Sequence, residues 1–469
     1  MKPKHLIIIG FGPVANYKYC RCIFRQIEKD YIHSYSVVDL QSQKNTVLQR
    51  LKKMPIKPFK VFFLADDDPD SGFKKNIKEF DNICKQLSKD MDLKVVIATE
   101  ARAHKPYLEY CVKNNIDSLV TKPITTPVHN GVFAPKELSK ELKKIIDLSK
   151  NTSANHAVIC LGRYHEIYEN NVREIIQQKM NILKAPITSI HLKTASGVWN
   201  MFPEYETRED HPYKYGYGML MHGAYHYIDV FMNLLRMNKS IYPNHKLSLY
   251  VSTYSAAPKD QCIRIPNTLN QLLTGYKNKS TKLPRKNYGE TDIVANICLK
   301  DETTKQVLTL GTLALEQTTP GFRHWQNFPK VPYNINGRLH STELDVRLST
   351  VFSISGNVVK IPISARNSIT DLRGRNFGRI ITRSNAILLG DQEFYHEKEI
   401  HREYGNSFSF TAELQIFDEW LQGKETKSSL ASHLPSVILL QKLAESISKP
   451  GKEIKIPFDF ETYETKLDI

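Results

Sequence analysis

Short strands with no polar face, a glycine fingerprint set between a strand and a helix, and a later change to alternating strands predict an α/β chain in two parts. The first part is a doubly wound parallel sheet. The second is an α+β domain with a large, mostly antiparallel sheet. Up to about residue 125 the apolar runs are His5–Ile9, Ser36–Val38, Val61–Ala65, Leu93–Ala98 and Ser118–Val120. Between them, Phe73–Leu87 and Lys105–Lys113 have helical spacing. Continuous β-branched runs suit strands covered on both faces by crossover helices. Pro135–Lys150 reads as a charged helix, Ala157–Leu161 as a strand and Glu166–Met180 as another helix.

From Thr188 the pattern alternates, over Ser189–Thr194, Leu247–Tyr254, Asp292–Leu299, Val307–Leu315, Ser341–Leu348 and Val351–Ile354. Alternation marks a sheet with one solvated face. Ser409–Leu421 and Ser436–Ile447 close the chain as helices, and 256–290 reads as an irregular loop. The expected domains are 1–125, 126–440 and a C-terminal segment 441–469 that returns toward the first.

Composition narrows the function. The chain has 469 residues, with 41% hydrophobic and 24% charged, which excludes a disordered, collagen-like or disulfide-stapled protein. Lys and Arg exceed Asp and Glu by 16, which calls for an anionic partner. The basic residues are scattered and no binding motif interleaves them, so nucleic acid is not expected. No apolar run approaches the ~20 residues of a membrane helix. Leu6–Ile9 is shorter than the ~7–15 residues of a signal h-region. Seven cysteines without a CxxC read as reduced thiols of a cytoplasmic protein.

The strongest motif is Gly10-Phe11-Gly12-Pro13-Val14-Ala15. In a Rossmann fingerprint the first glycine makes the tight turn and the second lets backbone approach a pyrophosphate. The small third residue packs helix on strand. Asp39 ends the second strand at about the distance where an acid meets a ribose 2′-hydroxyl. A carboxylate there repels a 2′-phosphate, and Leu40-Gln41-Ser42 brings no arginine, so NAD is favoured over NADP. The competing reading is a tight βα turn with a surface Asp.

Two further segments carry a resemblance. Val95-Val96-Ile97-Ala98-Thr99-Glu100 is followed by His104, and Leu119-Val120-Thr121 by Lys122-Pro123. Together these resemble the glucose–fructose oxidoreductase / inositol dehydrogenase (Gfo/Idh/MocA) family, with Glu100 where the family has Pro and Thr121 where it has Glu. The resemblance implies that Thr99, Glu100, His104 and Lys122 border the cofactor. It also implies that Lys122 holds the substrate hydroxyl, where a cation stabilises developing alkoxide. Taken alone, Lys122 before a turn proline is a solvated lysine.

Gly218-Met219-Leu220-Met221-His222-Gly223-Ala224-Tyr225-His226-Tyr227-Ile228-Asp229 resembles the family's Gly-x-x-x-Asp-x-x-x-His-x-x-Asp segment. That maps the acid–base role onto His226 and the second acid onto Asp229, with His222 in place of Asp. On one helix, 222, 226 and 229 share a face. An imidazole titrating near pH ~6.5 suits proton abstraction from a sugar hydroxyl. The exchange of Asp for His favours an anionic substrate. The same spacing admits a metal-ligand set, and two packed histidines are the plainer alternative; no metal is expected. Arg163 and Tyr164 resemble the start of the family's substrate domain, and with Tyr225 and Asp229 they are expected substrate contacts, His222 joining Lys122 and His226 as an expected catalytic residue.

The resemblance is strongest over 5–235 and diffuse over 240–400. The long interval between Asp39 and Val95 implies an added strand and helix around Val61–Leu87. Its acidic run, Asp66-Asp67-Asp68-Pro69-Asp70, reads as an Asx-turn loop, with a metal or partner site as the alternative. The implied function is hydride transfer between NAD and a secondary alcohol carbon of a polyol, sugar, inositol or sugar-nucleotide-like substrate. Alternatives are a catalytically weak NAD-binding sensor, an imine reductase, or a glycoside-cleaving relative. A homodimer or homotetramer through the open face of the second sheet is expected.

Overall fold

The computed structural model describes residues 2–67, 72–196, 200–209, 211–275, 287–320, 339–361, 375–391, 393–402 and 406–458. The chain divides into two compact units, 1–164 with 410–437, and 165–409 with 438–469.

In the first unit β1 (Lys4–Ile9), β2 (Ser34–Leu40), β3 (Lys60–Leu64), β4 (Asp92–Ile97) and β5 (Asp117–Thr121) form a parallel sheet. A small hairpin follows, β6 (Val128–His129) with β7 (Val132–Phe133). Then β8 (His156–Ile159) adds a sixth parallel strand, in the order β3-β2-β1-β4-β5-β8. That order reverses direction at β1 and β4, the place where open α/β sheets bind ligands. Leu6, Ile7 and Ile8 are buried on both faces, as an unalternating run requires. The crossover helices are α1 (Cys20–Glu28), α2 (Lys44–Lys52), α3 (Lys74–Leu87), α4 (His104–Lys113) and α5 (Leu138–Ser149). Each turns an apolar stripe inward; in α3 it is Phe80, Ile83, Cys84 and Leu87.

The expected strand-and-helix insertion is thus β3 and α3, and its acidic run has a structural use. Asp66 accepts the Ser42 N–H (3.2 Å), and Asp67 accepts those of Lys75 (2.9 Å) and Asn76 (3.2 Å) in the first turn of α3. Both carboxylates satisfy donors that open helical segments. Asp68 and Asp70 lie outside the described residues.

The unit boundary falls later than residue 125, because β8 needs β5 as its partner. The segment that rejoins the first unit is 410–437 rather than 441–469. Trp420 is fully buried there and its indole donates to the Asn155 carbonyl (3.1 Å), while Lys18 pairs with Glu413 and Lys29 with Asp418, each at 2.9 Å.

In the second unit Glu166–Arg173 is a π-helical stretch continued by α6 (Glu174–Leu183). The sheet strands are β9 (Ile187–Ala195), β10 (Leu247–Ala256), β11 (Asp292–Asp301), β12 (Val307–Glu316), β13 (His340–Leu348), β14 (Phe352–Ile361), β15 (Arg375–Ser384), β16 (Tyr395–Arg402) and β17 (Ile454–Pro457). Their order is β16-β15-β14-β13-β9-β12-β11-β10-β17, antiparallel except where β9 meets β12. The C-terminal strand therefore pairs with β10 at the edge of this sheet. One face is covered by α8 (Tyr225–Arg236), preceded by the short α7 (Phe202–Thr207). Gly311 leaves room for the Phe231 ring, since a Cβ there would lie 2.7 Å from it. Within the stretch 256–290, the described residues include short helices at Gln261–Arg264 and Asn267–Thr274, where an irregular loop was expected.

Candidate cofactor and substrate sites

The carboxyl ends of β1, β2, β4 and β5 bring the expected cofactor residues together. Gly10 closes the sheet's switch point: its N–H bonds to Val38 O (2.9 Å), and Ala98 N–H bonds to Ile9 O (2.8 Å). Its φ is +84°, and a Cβ would lie 2.6 Å from the Ala98 carbonyl, so only glycine fits. Gly12 differs. Its φ is not positive and a Cβ would meet nothing within 4 Å. The protein's own packing does not require a glycine there, whereas a closely approaching pyrophosphate does; the loop fits a dinucleotide. The helix starts at Pro13, with Val14 exposed and Ala15 buried, and Asn16 N–H bonds to Gly12 O (3.0 Å).

Asp39 reaches back to this loop. One carboxylate oxygen accepts the Phe11 N–H and the other the Leu40 N–H, each at 2.7 Å. Burial pushes its carboxyl up, and the Phe11 and Leu40 N–H groups and the Arg50 guanidinium pull it back.

His104 fixes the residues on either side of Lys122. Its Nδ1 donates to the Pro123 carbonyl (2.7 Å). Its Nε2 lies 3.0 Å from the Thr121 hydroxyl and 3.1 Å from the Thr99 carbonyl. Burial pulls the imidazole down to about 4, so at neutral pH the ring is uncharged and Nε2 accepts the hydroxyl proton. One buried ring thus fixes both neighbours of Lys122, whose bond to Pro123 is cis, and ties β4 to β5. Lys122 itself is half-buried. Glu100 is paired with Arg102 at 2.8 Å.

Arg163 and Tyr164 are buried and engaged within the first unit. Arg163 donates to the carbonyls of Lys427 (2.8 Å) and Ser432 (3.0 Å), and Tyr164 to the Glu419 carboxylate. Their geometry anchors the exit of β8 to the returning segment.

In the second unit the helix begins at Tyr225, so His222 does not share a helical face with His226 and Asp229. It lies in a turn, and its N–H and that of Met221 both bond to Gly218 O at 3.0 Å. Two glycines force this turn. Cβ atoms at Gly218 and Gly289 would lie 2.0 Å from Glu290 O and 1.9 Å from Tyr217 C, so two backbones meet face to face. Across that seam Met219 N–H bonds to Glu290 O and Leu220 N–H to the Glu290 side chain, each at 2.8 Å. Burial pushes the Glu290 carboxyl up to about 7, against the pull of backbone N–H groups. The His222 ring packs edge-on to His211, Tyr213 and Tyr217, at centroid distances of 5.0, 4.9 and 5.5 Å.

In the first turns of α8, His226 is half-exposed, Tyr225 is a core side chain, and Asp229 is buried, accepting from Asn233 Nδ2 (3.1 Å). Tyr227 reaches His340 (2.9 Å). Sequence reasoning missed Glu290, Arg50 and the Tyr227–His340 pair. Adjacent glycine and acid at 289–290 is the one local hint of the first; the others are brought into place only by the tertiary fold.

No family model and no curated protein matches the sequence. Solved structures do match in shape. Levoglucosan dehydrogenase in complex with NADH and levoglucosan has a TM-score of 0.56 at 12% identity, covering 97% of this chain and 99% of that one. An Agrobacterium radiobacter oxidoreductase in complex with NAD+, L-tartaric acid and magnesium gives 0.55 at 13%, covering 98% and 99%. The WlbA dehydrogenase of Bordetella pertussis in complex with NADH and UDP-GlcNAcA gives 0.52 at 12%, covering 98% and 100%. With a parallel sheet switching at the Gly10 loop and, among the described residues, a nine-stranded mixed sheet behind α8, the chain has the fold of the Gfo/Idh/MocA-type oxidoreductases.

Proposed function

We propose that this chain is an NAD-dependent oxidoreductase acting on a secondary alcohol carbon of a polyhydroxylated substrate: a sugar, an inositol or a sugar-nucleotide-like molecule. The observation that carries this reading is Gly12, a glycine with open space above it, beside a loop held by Asp39. When bound, the nicotinamide supplies the hydride chemistry. Lys122 polarises the substrate oxygen and stabilises negative charge on it. His226, half-exposed at the start of α8, takes the hydroxyl proton. His222 and Asp229 support that helix entry, and Arg163 and Tyr164 act by fixing the backbone near β8. Asp39, with Asp66 close enough to raise its carboxyl, argues for NAD over NADP.

Anionic substrates are favoured by the excess of 16 basic residues and by His222 standing where the family has an acid. The seven free thiols agree with a cytoplasmic setting. Among the described residues no helix is long and apolar enough to cross a membrane. Tyr254, Val294 and Leu310 are exposed on the open face of β10, β11 and β12, which supports a homodimer or homotetramer through that face. Light scattering that returned a monomer at micromolar concentration would refute that assembly.

The decisive experiment is a panel of sugars, polyols and sugar acids assayed for NADH production with the wild type and Lys122→Ala. Turnover of at least one compound, reduced about 10²-fold or more in the variant, supports the reading. Nicotinamide binding without turnover on the whole panel favours the sensor, for which the departures at Glu100, Thr121 and His222 speak.

A further inference from the structure

We infer that Arg50, in the last turn of α2, is a dinucleotide-binding residue that works opposite Asp39; this rests on the dinucleotide reading above. An arginine near a helix C-terminus ordinarily serves the helix's own carbonyls. Here that task belongs to Lys57, whose ammonium takes the carbonyls of Leu51 (3.1 Å), Lys52 (2.9 Å) and Met54 (2.9 Å). Arg50 instead sends Nη1 to the Phe11 carbonyl at 2.7 Å, inside the glycine loop.

The Phe11 peptide is therefore gripped from both sides, its N–H by Asp39 and its carbonyl by Arg50. The Phe11 ring is fully buried, so this peptide cannot swing, and it fixes how the Gly12 backbone faces an incoming phosphate. A guanidinium has five N–H donors, and Phe11 O takes one. Arg50 is half-buried and close enough to Asp39 to stabilise its carboxylate.

The adenosine end thus carries both signs: Asp39 and Asp66 against Arg50. An ionised Asp39 rejects a 2′-phosphate and leaves the guanidinium to the loop and the pyrophosphate. Without the Asp39 charge, Arg50 becomes the receptor for that phosphate, through paired N–H donors. The sequence hides this, because the arginine comes from the far end of the helix after β2.

Direct titration of the full chain with NADH and with NADPH, read by nicotinamide fluorescence, tests the inference without any substrate. The wild type is expected to prefer NADH. Arg50→Ala is expected to weaken NADH about tenfold or more, with Arg50→Lys in between. Asp39→Asn is expected to raise NADPH affinity about tenfold, and Asp39→Asn/Arg50→Ala to lose that gain. Wild-type NADH affinity in both Arg50 variants, or equal NADPH affinity in Asp39→Asn and the double variant, overturns the inference and leaves the dinucleotide reading standing. A wild type that binds neither nucleotide overturns both. Far-UV circular dichroism checks folding; if Arg50→Ala is unfolded, Arg50→Lys and Asp39→Asn carry the comparison alone.

Discussion

Each unit braces one candidate-site segment with one buried titratable group, and the two braces have opposite chemistry. In the first unit a neutral histidine, His104, bridges both sides of Lys122, and burial keeps its ring uncharged well below neutral pH. In the second a glutamic acid, Glu290, receives the turn that carries His222, and burial brings its titration to about 7. One brace is indifferent to physiological pH changes. The other changes charge in the middle of them.

The largest effects come from the backbone. Gly218→Ala would put a Cβ 2.0 Å from the Glu290 carbonyl, and backbone cannot yield as a flexible side chain does. We expect a loss of about 3 kcal/mol or more. Gly12→Ala is the contrast: its Cβ enters open space, so stability in urea should stay within about 0.5 kcal/mol while NADH affinity falls at least tenfold. Equal destabilisation by both would show that Gly12 serves packing and would remove the main support for a dinucleotide loop.

The pH dependence of the braces comes next. Unfolded Glu binds its proton near 4.5, folded Glu290 near 7, so the folded state holds the proton more tightly. Stability from this group is complete below about 4.5 and is lost as pH rises through 7. Glu290→Gln keeps an acceptor for Leu220 N–H and carries no charge. It should therefore be more stable than the wild type at pH 8.5, by roughly 2–3 kcal/mol, and no more stable at pH 4.5. His104 runs the other way. Its folded value, about 4, lies below 6.5, so its contribution is complete above 6.5 and lost as pH falls toward 4. Urea unfolding of His104→Gln should show a shallower acid limb than the wild type between those values. Parallel curves for either variant and the wild type would mean that burial does not control that group.

The two units also differ in how much the sequence discloses. The sheet of the first unit reads directly, because each strand is a continuous apolar run and the fingerprint needs only local order: strand, Gly10, Gly12, helix. The places of Asp39 and Lys122 at the ends of strands were legible for the same reason. Arg50 and the role of His104 were not, since a side chain's target across several loops leaves no periodic mark. In the second unit β9 to β14 showed their alternation. β15, β16 and β17 did not: an edge strand such as Tyr395–Arg402 exposes both faces and reads as charged coil, and in the interior strand β15 arginines and a glycine interrupt the apolar residues. The misplacement of His222 on a helix has a similar origin. Spacing alone suits helix and turn equally, and the choice is made by Gly218 against Gly289, far apart in sequence.

The smallest expected effect tests whether the Glu100 departure matters to the first brace at all. Glu100 stands where the family has proline, and its carboxylate meets Arg102 at 2.8 Å with both side chains partly solvated. Such a pair gives ~0–1 kcal/mol, because solvent screens it and two side chains must be ordered to hold it. Glu100→Gln should thus unfold within about 1 kcal/mol of the wild type, and its NADH affinity should stay within about threefold if the carboxylate only positions Arg102. A larger gain in NADH affinity on losing the charge would mean that Glu100 faces the phosphates and opposes them. The family's uncharged residue would then be the better cofactor neighbour, and this chain would hold its dinucleotide more loosely than its fold alone implies.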